Sequence, residues 1–477
     1  PNTRSGVITI RNGHAITVTA NVSADQIVIQ SGAGVTINNG VTLTVADAAG
    51  ADFDLSGTLD VNGTILLKDN TTSNVQSGGI INNNNLVKVS NVNVALNFLS
   101  GSSYNHTRNG GAIPVATWHA ASTCSITGVT STMVTTTSLT QSFGNFTWNC
   151  PAQSADLNMA GKISTIQGNF TITNTGSSIL YMSGTGAGTF TTNIAGALNI
   201  NGGNLGLNIS TGSSVLNVAG AWTMSSGSLI RGGGTGRINF SGSGTQTISK
   251  TGGTITGALP FTVNNGSTID LGTSVLDGTN ATFTAAAGST IITSNDQGLS
   301  SSGATGSIQV GGTRTYHAAA NYQFNGSNTG NFSTTSNQVN NLSFNRSSGV
   351  TLDRSFTVTG TLNLASGIVT TGVNSITMSA GGSISNASAS NYINGKLNWT
   401  FSGAATKTFP IGKGGAYRSI QFQYLTVTGT SIVGIEQFEA TIPGTLPENT
   451  TSPVTRYWTV SETGGSGLSA KITLDIP

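Results

Sequence analysis

Charge is the scarcest property of this sequence of 477 residues. Only 7% of them are Asp, Glu, Lys or Arg, against ~25% in ordinary soluble domains. Eighteen basic and sixteen acidic residues leave a net charge of +2. No cluster of Lys or Arg is present to neutralise phosphates, which excludes nucleic acid as a partner. Glutamate is absent before Glu436, so the paired carboxylates of a glycosidase are missing over most of the chain. No run of 18 apolar residues exists, so no segment reads as a membrane-spanning helix. Cysteine occurs only at Cys124 and Cys150, with no CxxC and only His119 nearby, which argues against a zinc site. Helical periodicity is nearly absent. Low charge combined with frequent apolar residues also argues against disorder.

What is present is glycine, at 65 residues, and a period of two. Runs such as GVITI, AITVTA, QIVIQ, GVTLTV and FTVTGTLNLASG alternate apolar residues with Thr, Asn and Ser, punctuated by Gly. The texture repeats. GNFTWN (144–149), GNFTIT (168–173), GALNIN (196–201) and GAWTMS (220–225) recur at offsets of 24, 28 and 24. TWHAAS (117–122) returns as TYHAAA (315–320). Offsets of this size fit one coil of a β-solenoid with about three strands per turn, whose apolar face is buried only by stacking. The spacing predicts an all-β chain in which residues 1–391 form a parallel β-solenoid (β-helix) rod. At about 4.8 Å per coil, this is on the order of 17 coils. A string of β-sandwiches is the alternative.

Near residue 392 the texture changes. Residues 392–477 hold five of the nine prolines, all four glutamates (Glu436, Glu439, Glu448 and Glu462) and 11 of the 34 charges. Longer strands such as RSIQFQYLTV read as an Ig-like β-sandwich, with AKITLDIP as an unfinished last strand. The opening Pro1-Asn2-Thr3 suits a mature protein freed of its signal, or a trimmed chain.

Candidate sites are few. Asp47, Asp52, Asp54, Asp60 and Asp69 fall within 23 residues. The first four are candidate ligands for a weak Ca²⁺ site, weighed against solvent-facing turn aspartates, the reading favoured here. No other metal or cofactor is expected. The histidines His14, His106, His119 and His317 are scattered, and the matching places of His119 and His317 suggest a repeated turn. RGGGTGR (231–237) lacks the helix a phosphate cradle needs and reads as a corner. Trp148 and Trp222 stand where other echoes carry Ile and Leu, which marks them as core, and Trp458 alternates like a sandwich core residue. Trp118 and Trp399 carry no assignment.

The cysteine pair admits a disulfide, two buried thiols, or part of a metal site. The separation of 26 positions lies within the echo offsets. That predicts the same angle on adjacent coils, with Cα atoms about 4.8 Å apart, inside the roughly 4.4–6.8 Å a disulfide accepts. A Cys124–Cys150 bridge is therefore expected if the chain is exported.

The segments STCSITG, QSFGNFTWNCP and AANYQFNGSNTG resemble parts of long secreted repeat proteins of Bacteroidetes. The C-terminal YINGKLNWTF, KTFPIGKGGAYRSIQF and RYWTVS resemble the module that often follows such solenoids, ahead of adhesin-like domains and a type IX secretion sorting domain. The resemblance implies export to the outer-membrane surface and engagement of the secretion machinery, and it supplies no catalytic residues. The resulting expectation is a non-enzymatic extracellular adhesin or structural stalk. Its partners would be glycans or other cell-surface or matrix polymers, with self-association as a further option. A filament subunit and a carbohydrate-active enzyme on a β-helix are the alternatives.

Overall fold

The computed structural model describes residues 6–90, 92–444 and 455–474. Pro1-Asn2-Thr3, Glu448 and the last three residues lie outside these. The chain divides into two compact units, Pro1–Phe261 with Gly278–Ala281, and Thr262–Asp277 with Thr282–Pro477. Among the described residues the regular structure is β-strand, apart from 3-10 turns at Thr136–Leu139 and Thr335–Asn337. The strands build a parallel β-solenoid of about 18 turns.

In the first unit a coil is three short strands joined by tight corners. Gln26–Ile29, Gly34–Ile37 and Thr42–Val45 make one coil; Phe53–Leu55, Thr58–Val61 and Thr64–Leu67 make the next. Each strand lies parallel to its counterpart, with Ile27 on Phe53, Val35 on Leu59 and Leu43 on Ile65. Alternation then sorts the chemistry, because successive side chains point to opposite faces. One inward column runs through Val35, Leu59, Ile81, Tyr104, Cys124, Phe146, Phe170, Leu198 and Trp222. All nine are buried, and successive members are 20–28 residues apart. Trp148 and Trp222 are both fully buried, as their echo positions require.

Outward positions stack as ladders of amides, one of which ends on the Asp60 carboxylate. Asn82 Nδ2 donates to Asp60 Oδ1 at 2.7 Å, and Asn105 Nδ2 donates to Asn82 Oδ1 at 2.8 Å. Asn217 and Asn239 extend a second ladder from Asn193 at 2.8 and 2.9 Å. An amide suits this position because it donates to one coil and accepts from the other.

The glycine that opens each echo has a steric cause. The Gly168, Gly196 and Gly220 amides donate to the Gly144, Gly168 and Gly196 carbonyls at 3.0, 2.9 and 2.9 Å. A Cβ on Gly196 would stand 2.6 Å from the Gly168 carbonyl carbon and oxygen.

The second unit repeats the device. Thr290–Thr293, Asn321–Phe324, Leu342–Asn345, Thr361–Ser366 and Ser383–Ser385 stack in parallel, with Ile291, Tyr322, Leu342, Leu362 and Ile384 as the inward column. The long connection 294–313 is held by the buried Arg314. Its guanidinium donates to the Val310 carbonyl at 3.0 Å, the Gly303 carbonyl at 2.5 Å and Ser300 Oγ at 2.5 Å.

Pairing changes mode on a single strand. Ile393–Phe401 lies parallel to Val369–Met378 on one side and antiparallel to Ile420–Phe438 on the other. Ile420–Phe438 then pairs antiparallel with Ala405–Phe409 and Tyr457–Leu474, an arrangement consistent with a β-sandwich. The boundary expected between 391 and 392 is thus a change of pairing, not a break between compact units. The antiparallel strands belong to the same unit as the solenoid coils before them.

Gly196→Ala is expected to cost about 1–3 kcal/mol, because the clash is with backbone that cannot rotate away. Gly186 has open space around its missing Cβ and no positive φ, so Gly186→Ala serves as the neutral control. Thermal melts of the two variants beside the wild type check this.

Candidate functional site

The aspartates that were candidates for a Ca²⁺ site do not converge. Asp52 is 1% exposed; its Oδ1 accepts the Ala48 N–H and its Oδ2 the Thr72 N–H, both at 2.7 Å. Asp54 accepts from Gln76 Nε2 at 2.6 Å, while Asp60, across a corner on a different sheet, accepts from Asn82. Asp47 is exposed, and Asp69 accepts from Ser90 Oγ. Among the described residues no group of three His, Cys, Asp or Glu side chains is gathered to hold a metal. The candidate Ca²⁺ set Asp47, Asp52, Asp54 and Asp60 is corrected accordingly: a corner separates Asp54 from Asp60, and Asp52 spends both oxygens on backbone.

The expected disulfide is also corrected. Cys124 and Cys150 are free, buried thiols. Cys124 stacks on Phe146 and Ile126 on Trp148, so Cys150 lies four positions further along its coil, about 13 Å of strand. Its Sγ instead reaches the Ile126 carbonyl at 3.3 Å. Burial raises the Cys124 thiol well above its ordinary range and pushes Cys150 up to about 12. Both are therefore thiols rather than reactive thiolates at neutral pH. Iodoacetamide is expected to leave the native protein unlabelled and to add two groups after denaturation without reductant, read by intact mass.

His119 and His317 occupy equivalent exposed turns, one in each unit. Each Nδ1 accepts the N–H two residues on, from Ala121 and Ala319, at 3.0 Å. The echo is a turn motif, as its sequence suggests. RGGGTGR forms the corner between Ser228–Gly232 and Arg237–Phe240.

His14 is exposed, but His106 lies inside the coil. Asn83 Nδ2 donates to Tyr104 Oη at 2.7 Å, Tyr104 Oη lies 3.1 Å from His106 Nδ1, and His106 Nε2 lies 2.7 Å from the Gly110 carbonyl. The Gly110 carbonyl fixes the proton of neutral His106 on Nε2, leaving Nδ1 to accept from Tyr104. Burial holds the His106 pKa below its ordinary 6.5; the Gly110 bond opposes this and the Arg108 charge adds to it. The unfolded chain therefore takes up this proton more readily than the folded one. Stability falls as pH drops below about 6.5 and levels off at the lower folded value. Melting temperatures measured from pH 7.5 to 5 are expected to decline less in His106→Gln.

A neutral polar surface was expected of the solenoid, but not the trough that it walls in the second unit. Outward residues on that unit's stacked strands make two neutral columns. In the first, Asn321 Oδ1 accepts the Asn341 N–H at 3.2 Å, Asn341 Oδ1 accepts the Thr361 N–H at 2.8 Å, and the Thr361 and Ser383 hydroxyls are 3.0 Å apart. In the second, Gln323, Ser343, Asn363 and Ser385 are in register. Asn363 Nδ2 donates to Ser343 Oγ at 3.1 Å, and its Oδ1 accepts from Asn386 Nδ2 at 2.7 Å. A trough of about 350 Å³ lies over these columns, and no charged side chain lines it. A readable signal was present. NYQF, NLSF, TLNL and SISN place polar residues at matching alternate positions, 20–22 residues apart.

Asn386, in the left-handed region at φ 59°, also lines a second cleft of about 480 Å³ with Trp399, Lys407 and Tyr417. Trp399 is nearly buried. The Lys407 ammonium sits 4.7 Å from its ring centroid and donates to the Ala380 carbonyl at 3.1 Å.

No family model matches the chain, and no curated protein matches it. Among solved structures, a mutant tailspike protein of E. coli bacteriophage HK620, in complex with a hexasaccharide, aligns over 97% of this chain and 86% of its own. Identity is 11% and the TM-score 0.22. At that score the alignment carries no functional argument, and the solenoid assignment rests on the strand pairing above.

Proposed function

We propose that the protein is an extracellular β-solenoid scaffold whose second unit binds polysaccharide along its outer polar columns, without cleaving it. The observation that carries this reading is the trough over Gln323, Ser343 and Asn363, walled by amides and hydroxyls in register. Such groups exchange hydrogen bonds with sugar hydroxyls without the cost of desolvating a charge. Coils repeat at about 4.8 Å, comparable to the advance of one sugar in an extended polysaccharide, so successive coils meet successive sugars. The trough exposes no Trp platform, so affinity per sugar is low and grows with the number of coils engaged. A non-enzymatic role is supported by the use of Asp52, Asp54 and Asp60 as hydrogen-bond acceptors within the solenoid.

A glycan array followed by titration calorimetry tests the reading. Extended polysaccharides are expected to bind, with no product released over hours. Gln323→Ala/Ser343→Ala is expected to weaken binding about tenfold, equivalent to about 1.4 kcal/mol, with little change in melting temperature. Binding unchanged in that double variant would contradict the assignment.

Self-association is a second reading. It is favoured by the coil Val7–Ala24, where Val7 is 55% exposed and Ile16, 42% exposed, lines a hollow of about 550 Å³ together with Ile8, Ile10 and Val22. Exposed apolar strand edges of this kind pair with other chains. Sedimentation is expected to show larger species that Val7→Asp/Ile16→Asp reduces.

A further inference from the structure

We propose that the cleft at Trp399, Lys407 and Tyr417 binds the carboxylate of an acidic sugar, a uronic-acid unit within the polysaccharide that lies in the adjoining trough. The proposal rests on the polysaccharide reading above. Asn386 lines both cavities, so a chain lying along the trough continues into the cleft. A volume of about 480 Å³ is within the roughly 300–1,000 Å³ of small-ligand sites.

The chemistry of the lining selects an anion. Lys407 is the one charged side chain there, and no carboxylate lines the cleft to neutralise it. Of its three donors, one goes to the Ala380 carbonyl. That bond and the Trp399 ring hold the ammonium in place before any ligand arrives. Trp399 is 4% exposed, so the ring beneath the ammonium is fixed by its own packing.

The rest of the lining selects a sugar over a bare anion. Ser383, Thr406 and Thr408 offer hydroxyls, while Ile384 and Pro410 offer apolar surface for the C–H face of a ring. A single ammonium, without an arginine fork or a helix N-terminus, suits one carboxylate better than a phosphate.

The test compares three probes by calorimetry at fixed ionic strength: an oligogalacturonate, its methyl ester of equal length, and inorganic phosphate. The oligogalacturonate is expected to bind at least tenfold more tightly than the ester, with phosphate showing no saturable binding. Lys407→Gln is expected to remove the difference by weakening the acid alone, and Lys407→Arg to retain it; melting temperatures verify that both variants fold. Gln323→Ala/Ser343→Ala is expected to weaken acid and ester alike. Equal affinity for acid and ester, or a preference that survives Lys407→Gln, overturns the carboxylate site while leaving the trough standing. Absence of binding by either oligosaccharide overturns both. Phosphate competing as well as the acid reduces the cleft to a general anion site and overturns the sugar assignment.

Discussion

In a parallel solenoid each residue lies above its counterpart in the preceding coil, about 4.8 Å away, and that vertical neighbour decides what the position tolerates. Inward, the constraint favours apolar groups that pack on one another, as Phe146 packs edge-to-face on Phe170 at a ring-centroid distance of 6.0 Å. At the corners it favours glycine, because a carbonyl of the coil below occupies the space a Cβ needs. Outward it favours amides and hydroxyls, which donate to one neighbour and accept from the other.

The scarcity of charge follows from the same constraint. Two like charges on adjacent coils would repel by about 1 kcal/mol in water and more near protein, and a column would accumulate that cost coil after coil. Asp60 accordingly lies between Thr36 and Asn82, and Asp54 between Val28 and Asn74. Ladders of neutral groups are left as the surface, and over the second unit they wall the trough. Where the pairing turns antiparallel, beyond Ile393–Phe401, Ala405–Phe409 brings the cationic Lys407 beside Trp399 without a coil above it to repeat the charge.

Much of this was legible in the sequence, and the failures share one cause. The two-residue alternation and the echoes reported the solenoid, the burial of Trp148 and Trp222, and the shared turn of His119 and His317, because each depends on position within a coil. The Cys124–Cys150 bridge failed because coil length varies. The step from Cys124 to Phe146 is 22 residues, so a separation of 26 overshoots the vertical neighbour by four. The Ca²⁺ candidate, already the less favoured reading of the aspartates, fails similarly, because closeness in sequence is not closeness in space across a corner that puts Asp54 and Asp60 on different sheets. Trp399 and Lys407 meet through antiparallel pairing to Val433 and Phe422 of one long strand, a register that no repeat in the sequence announces.

Vertical register is the claim on which the columns, the corner glycines and the trough all depend, and an engineered cross-link measures it directly. Thr171 and Asn199 are outward residues of adjacent coils in register with one another, at a Cα separation near 4.8 Å that a disulfide spans. Thr171→Cys/Asn199→Cys is expected to form an intramolecular bridge under mild oxidation, detected as a loss of two hydrogens in the intact mass, while Thr171→Cys/Asn201→Cys, displaced by two residues, remains reduced. A bridge in the displaced pair and none in the registered pair would contradict the stacking described here.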